Sequence, residues 1–133
     1  MESPLVGKRV VIVGAAAMID ITLDAALRKA GARTVAVSPS PQESVDTIQT
    51  ETPDLVLMAV TPHNLAEAID AVRTLAQVSA LCIVVMVHHV AIEDERQLRE
   101  AGISAVFRRP FTAEDLIPAL EETFRQHCKT TSD

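Results

Sequence analysis

Histidines have the clearest capacity for chemistry in this sequence, because imidazole binds transition metals and exchanges protons near neutral pH. His63, His88 and His89 follow two apolar runs, residues 54–60 and 81–87. If those runs are neighbouring strands, the three imidazoles share one rim. Adjacent residues of an extended segment point in opposite directions, however, so His88 and His89 are expected to be poor co-ligands. Solvated loop histidines are the favoured interpretation, and a metal site is the competing one.

The cysteines and the glycine-containing turn 14–19 give weaker indications of function than the histidines. Cys82 lies inside an apolar run and is predicted to be a core residue, while Cys128 lies in the polar C-terminal segment. Neither has the spacing of a metal site, a disulfide framework or a catalytic nucleophile. The turn 14–19 begins like a dinucleotide-binding fingerprint. It lacks the second and third glycines, and no acid ends the next apolar run, so that interpretation is not favoured.

The elements that must position these residues alternate regularly along the chain. Five apolar runs are each followed by an amphipathic segment, and the third and fourth runs are apolar at every position. This pattern predicts five βα units around a parallel sheet that is buried on both faces. Helix starts are predicted at Ser40, Asn64 and Thr112, the last with Phe111 and Leu116 as a hydrophobic staple. Pro118 is anomalous within the last helix.

Composition sets the broad class. The chain has 133 residues, of which 48% are hydrophobic, so it can form a core and is predicted to fold as one domain, residues 1–126, with a flexible tail at 127–133. A net charge of −6 and only 2% aromatic residues argue against nucleic-acid binding by this domain. The longest apolar run, 80–87, is too short to span a bilayer, and no secretory signal is visible, so a cytoplasmic location without membrane contact is expected.

Four local patterns together resemble a bacterial two-component receiver domain, over about residues 8–124. They are the approach Pro53-Asp54-Leu-Val-Leu to a third strand, the turn 101–105, the Arg109-Pro110-Phe111-Thr112 motif and the Gly14-to-Gly31 spacing. The resemblance implies a CheY-like, flavodoxin-type α/β fold. Its five-stranded parallel sheet would have the order 2-1-3-4-5 and helices on both faces.

The resemblance also implies which positions form the family's phosphorylation pocket. In that family, acids after strand one and an Asp ending strand three hold Mg²⁺, and a hydroxyl and a Lys after strands four and five contact the phosphoryl group. The matching positions here are Gly14, Ala15, Ala59 (or Met58, counted back from Pro62), Val87 and Arg109. Without carboxylates for Mg²⁺ or an oxygen nucleophile, we expect no phosphorylation, no metal, no cofactor and no enzymatic activity. Arg109 is expected to leave the pocket or to pair with an acid.

The expected function is therefore that of a pseudo-receiver, a phosphorylation-independent signalling module that acts by protein–protein interaction. It would be a stand-alone adaptor or the regulatory part of a longer protein. The expected partner is another signalling protein or a second copy, in a homodimer through helix four, strand five and helix five. Charges of both signs suit such an interface, although they also suit a merely solvated surface. Val106 replaces the family's aromatic switch, and the candidate surface residues are Arg96, Arg99, Val106, Arg108, Glu121 and Arg125.

A second function class remains open. The crevice at the carboxyl ends of the strands could hold a small ligand or a nucleotide, with Arg109 as the contact for an anion. The domain would then be a ligand sensor.

Overall fold

Five parallel strands form the centre of the fold. They are β1 (Arg9–Val13), β2 (Arg33–Ser38), β3 (Leu55–Val60), β4 (Cys82–Val87) and β5 (Ala105–Arg108). The computed structural model describes residues 4–14, 21–77, 81–108 and 113–131. The strands pair in the order β2-β1-β3-β4-β5, so the predicted α/β class and strand order are confirmed.

Five helices cover the sheet. They are α1 (Ile21–Lys29), α2 (Pro41–Glu51), α3 (Leu65–Leu75), α4 (Ile92–Ala101) and α5 (Ala113–Thr131). Among the described residues, none of these helices combines the length and the hydrophobicity needed to cross a membrane.

Each face of the sheet carries its own apolar layer, because successive side chains of a strand point to opposite faces. Val11 and Val13 face α2, α3 and α4, whereas Val10 and Ile12 face α1 and α5. All six residues of β3 and of β4 are buried, as a strand covered on both faces requires. The helix side chains that complete the two layers are Ile48, Val72, Leu75 and Leu98 on one face and Leu27, Leu116, Leu120 and Phe124 on the other.

Strand β2 is an edge strand of the sheet, and its pairing with β1 is the least regular of the four strand pairings. The register with β1 shifts between Val10 and Val11, so that Val35 of β2 has no partner opposite it. Val37 is 61% exposed, one of the largest exposures of a bulky apolar residue in the described chain. The edge strand is therefore both bulged and partly uncovered.

Of the predicted helix caps, the one at Ser40 forms its capping hydrogen bond and the one at Asn64 does not. The Ser40 side chain accepts a hydrogen bond from the Glu43 amide at 3.3 Å, which confirms the predicted cap of α2. Asn64 precedes α3 as predicted but makes no capping hydrogen bond with its side chain. Glu67, its expected capping partner, instead accepts a hydrogen bond from the Gln42 amide of α2 at 2.9 Å. The sequence pattern at Asn64 therefore predicts the start of α3 correctly, but the capping interaction on which the prediction was based is not formed.

The last helix is longer than expected. Helix α5 runs through Pro118 to Thr131, so the segment 127–133, predicted as a tail, is helical for its first five residues. A helix with proline in its interior lacks one backbone hydrogen bond, which confirms that the anomaly noted at Pro118 is real. The predicted cap Thr112 and staple residue Phe111 lie outside the described residues.

Candidate functional site

The carboxyl ends of β1 and β3 meet in a very close contact. Gly14, directly after β1, has φ +133°, and a Cβ atom placed on it would lie 2.6 Å from the Ala59 Cβ atom. Real Cβ atoms do not approach so closely, so no side chain fits at residue 14 while Ala59 stays in place. Met58 pairs with Val13 and packs in the other apolar layer, so Ala59 is the residue that faces Gly14.

Asn64 ties the loop after β3 to the end of that strand. Its Oδ1 atom accepts a hydrogen bond from the Thr61 amide at 2.8 Å, and its Nδ2 atom donates one to the Ala59 carbonyl at 3.1 Å. Sequence reasoning missed this role, because Asn is equally typical of a helix cap. The loop beside Ala59 is consequently fixed by side-chain hydrogen bonds of its own.

The remaining pocket positions are only partly described. Val87 ends β4, is fully buried and lies between Val60 of β3 and Arg108 of β5. It offers no polar atom to a ligand. Ala15 and Arg109 lie outside the described residues, so the expected displacement of the Arg109 guanidinium stays a prediction.

The histidines after β4 do not have the geometry expected from an extended segment. His89 has φ +59°, in the left-handed region, and the ring centroids of His88 and His89 lie 4.0 Å apart with their planes tilted by 57°. The expectation that these side chains point apart is therefore wrong, because the chain turns between them. Both residues are exposed, as is His63. Among the described residues, no group of three or more metal-binding side chains is assembled.

Charged side chains link β5 to α4. The guanidinium of Arg108, the last residue of β5, donates to the carboxylate of Glu95 in α4 and, at 3.3 Å, to the Val90 carbonyl in the loop before α4. Glu95 also accepts from Arg99 at 3.3 Å, and its side chain is only 14% exposed. The spacing of Glu95 and Arg99 could have predicted their pair. The contact with Arg108 joins separate elements and has no local sequence signal.

We use the name α4–β5–α5 face for the proposed partner surface, whose candidate residues are Arg96, Arg99, Val106, Arg108, Glu121 and Arg125. Of these, Arg99 and Arg108 meet at Glu95, whereas Arg96 pairs with acids of its own helix and Arg125 pairs with Glu122 at 2.7 Å. Val106 is half-buried against the core. A groove of about 350 Å³ includes Val106 and Arg108 of this face. Its lining, which is both apolar and charged, is Glu95, Val106, Phe107, Arg108, Asp115, Leu116 and Ala119.

Two further grooves lie elsewhere on the described surface. One of about 380 Å³ lies between α2 and α3 and includes Val45, Glu67 and Asp70, and one of about 340 Å³ lies between the start of β5 and the end of α5. None of these three grooves is lined by Gly14, Ala59 or Val87.

Solved structures of similar shape define the class of protein. The fold is similar to a CheY-like response regulator receiver domain protein from Methanospirillum hungatei JF-1, with a TM-score of 0.79 and 18% identity, over 92% of this chain and 98% of that one. It is also similar to a LuxR-family two-component response regulator from Aurantimonas sp. SI85-9A1, with a TM-score of 0.76 and 23% identity, over 90% and 86% of the two chains. This protein is therefore a domain with the CheY-like receiver fold.

Sequence comparison points to a more specific relative. The chain is 34% identical over 116 residues to the transcriptional regulatory protein PdtaR of Mycobacterium tuberculosis, in two strains. That match covers 87% of this chain and 56% of PdtaR, so the chain spans about half the length of the curated relatives it matches. No protein-family model matches the sequence.

Proposed function

We propose that this domain acts as a signalling module that is not phosphorylated and that communicates through protein–protein contact at the α4–β5–α5 face. The observation that carries the proposal is the approach of Gly14 to Ala59, 2.6 Å from a Cβ atom at residue 14 to that of residue 59. A carboxylate at residue 14 would need the space that Ala59 occupies. The resemblance to receivers places metal-binding acids at this point, and here neither residue has an oxygen in its side chain.

The contacts of Arg108 support a face with one stable arrangement. Strand β5 is tied to α4 through Glu95 and to the preceding loop through the Val90 carbonyl. The Glu95 carboxylate, only 14% exposed, accepts hydrogen bonds from both Arg99 and Arg108, and we propose that these contacts hold α4 against β5. We infer that association through this face is constitutive, with no aromatic side chain at Val106 to swing between positions.

The partner that we propose is another signalling protein or a second copy of the chain. PdtaR is a transcriptional regulatory protein, and the chain matches about half of its length. We accordingly propose that the domain serves transcriptional or other signalling regulation, as an adaptor or as a regulatory part. The alternative of a small-ligand sensor has less support, because the described crevice positions Gly14, Ala59 and Val87 offer no polar side-chain atom to a ligand.

Absence of phosphorylation is tested by mass spectrometry. The protein is incubated with acetyl phosphate and Mg²⁺ beside a receiver domain that has its phosphoacceptor Asp. We expect the control to gain the mass of a phosphoryl group and this protein to gain none. A stable adduct on Asp54 or any other carboxylate would refute the proposal.

Docking through the face is tested by charge reversal. Arg96→Glu with Arg99→Glu inverts two exposed cations of α4, while Arg33→Glu with Arg73→Glu inverts two exposed cations on β2 and α3. Sedimentation with and without a candidate partner should show weakened association for the first pair only. Equal behaviour of the two pairs would place the docking surface elsewhere.

A further inference from the structure

The two histidines after β4 form a paired arrangement that the proposed signalling function does not use. The imidazole centroids of His88 and His89 are 4.0 Å apart, and both residues are exposed where β4 ends. We propose that this pair is a binding site for a divalent transition-metal ion such as Cu²⁺, Ni²⁺ or Zn²⁺. The proposal is independent of docking through the α4–β5–α5 face and of the proposed absence of phosphorylation.

The backbone holds the two rings on one side of the chain. In an extended segment neighbouring side chains diverge. The left-handed conformation of His89, φ +59°, reverses that divergence. For a residue other than glycine this conformation costs about 1 kcal/mol, so it persists only where surrounding contacts enforce it.

Contacts of the backbone and of the neighbouring residues stabilise this conformation of the His88–His89 segment. The His88 amide donates a hydrogen bond to the Val60 carbonyl at 3.1 Å, which continues the pairing of β3 with β4 by one residue. Val87 and Val90, on either side of the pair, are buried. The imidazoles thus project from a segment that is fixed at both ends, so a metal would not have to order a mobile loop.

The ring separation suits two bonds to one metal. Metal–nitrogen bonds to imidazole are about 2.0–2.1 Å, so two nitrogens in adjacent coordination positions lie about 3 Å apart. The His88 and His89 centroids are 4.0 Å apart, so the two rings are close enough to act as ligands of one ion. Once one ring has bound, the second binds from the same chain at high effective concentration.

The donor set also selects the class of ion. Imidazole nitrogen favours Cu²⁺, Ni²⁺ and Zn²⁺, whereas Mg²⁺ and Ca²⁺ require oxygen ligands. Among the described residues no third His, Cys, Asp or Glu joins the pair. Water fills the remaining coordination positions, and the expected order of affinity is Cu²⁺ above Ni²⁺ and Zn²⁺.

The test is a calorimetric titration of the full, untagged chain with CuCl₂ and with NiCl₂ in a buffer that does not bind metals. His88→Gln removes one ring. His89→Gly removes the other and keeps the left-handed backbone accessible. His63→Gln is the matched control, since it removes an exposed imidazole from the neighbouring loop.

The wild type and His63→Gln should each bind one ion per chain with equal affinity, and each variant of the pair should bind about 100-fold more weakly. Circular dichroism verifies that all four proteins are folded. In a parallel measurement, Cu²⁺ well below one equivalent should broaden the NMR signals of both rings of the pair before those of His63. The proposal is wrong if the pair variants bind as tightly as the wild type, or if His63→Gln weakens binding equally.

Discussion

The carboxyl edge of the sheet has two halves that are built differently. Where β1 and β3 end, Gly14 and Ala59 are held so close that no atom can be added between them. Where β4 and β5 end, polar side chains make contacts among the described residues: the His88 and His89 ring centroids lie 4.0 Å apart, and Arg108 binds Glu95. One edge thus combines a close-packed half and a half whose contacts are made by long or polar side chains.

The two halves of the edge are expected to differ in how well they tolerate substitution. Close-packed interiors respond to a single added methyl group, because neighbouring backbone must move to make room. Contacts between exposed charges exchange with water and contribute little each. We therefore expect substitutions to cost most at the β1–β3 half and least among the charges of α4.

The largest effect is expected for Gly14→Ala, compared with Gly7→Ala. Both glycines have positive φ, but the added Cβ atom meets Ala59 at residue 14 and nothing within 4 Å at residue 7. Gly7→Ala should lower the free energy of unfolding by about 1 kcal/mol through backbone strain. Gly14→Ala should lower it by about 3 kcal/mol or more, since overlap adds to strain. Urea denaturation measures both, and equal losses would show that the β1–β3 half is not close-packed.

An intermediate effect is expected for Asn64→Ser. If Asn64 were only a helix cap, serine would replace it without loss. Because its side chain bonds both the Thr61 amide and the Ala59 carbonyl, we expect a loss of about 2 kcal/mol in the free energy of unfolding. Ser40→Asn at the true cap of α2 is the control and should change stability by less than about 0.5 kcal/mol. A neutral Asn64→Ser would restore the capping interpretation.

The smallest effects on stability are expected in α4, where Glu95→Ala is compared with the control Glu93→Ala. Both acids lie in the first turn, so the helix dipole and helix propensity contribute similarly. The Glu95 side chain is 14% exposed and binds two arginines, while that of Glu93 is 79% exposed and lies 3.9 Å from Arg96. We expect a loss of about 1 kcal/mol for Glu95→Ala and less than about 0.5 kcal/mol for Glu93→Ala by thermal denaturation. Matching losses would mean that the contact with Arg108 contributes nothing.

The fold could be predicted from the sequence because its signals are local and repeated. Continuous apolar runs such as 55–60 and 82–87 are typical of strands buried on both faces, and both are buried throughout. Helix α2 begins at a Ser whose capping hydrogen bond is formed. The end of α5 was less predictable, since a polar composition is compatible with an exposed helix as well as with a tail.

The candidate site was less predictable because it depends on contacts between distant segments. The Arg108–Glu95 contact joins residues 13 positions apart, and the approach of Gly14 to Ala59 depends on strand pairing. The prediction that His88 and His89 point in opposite directions was wrong for a different reason. Side chains alternate in direction only along an extended backbone. His89 adopts a left-handed conformation, and because it is not a glycine the sequence gives no sign of that turn.

The irregular pairing of β2 has a consequence for how molecules of this protein meet at high concentration. An edge strand offers unpaired amide and carbonyl groups to any other chain, and an exposed Val37 would strengthen such a contact. The unpaired Val35 lies in the middle of that strand, where a bulge twists the backbone and breaks the regular spacing of its hydrogen-bonding groups. An incoming strand can match only the two or three residues on one side of it. We therefore expect the bulge to limit how far intermolecular strand pairing can extend along β2.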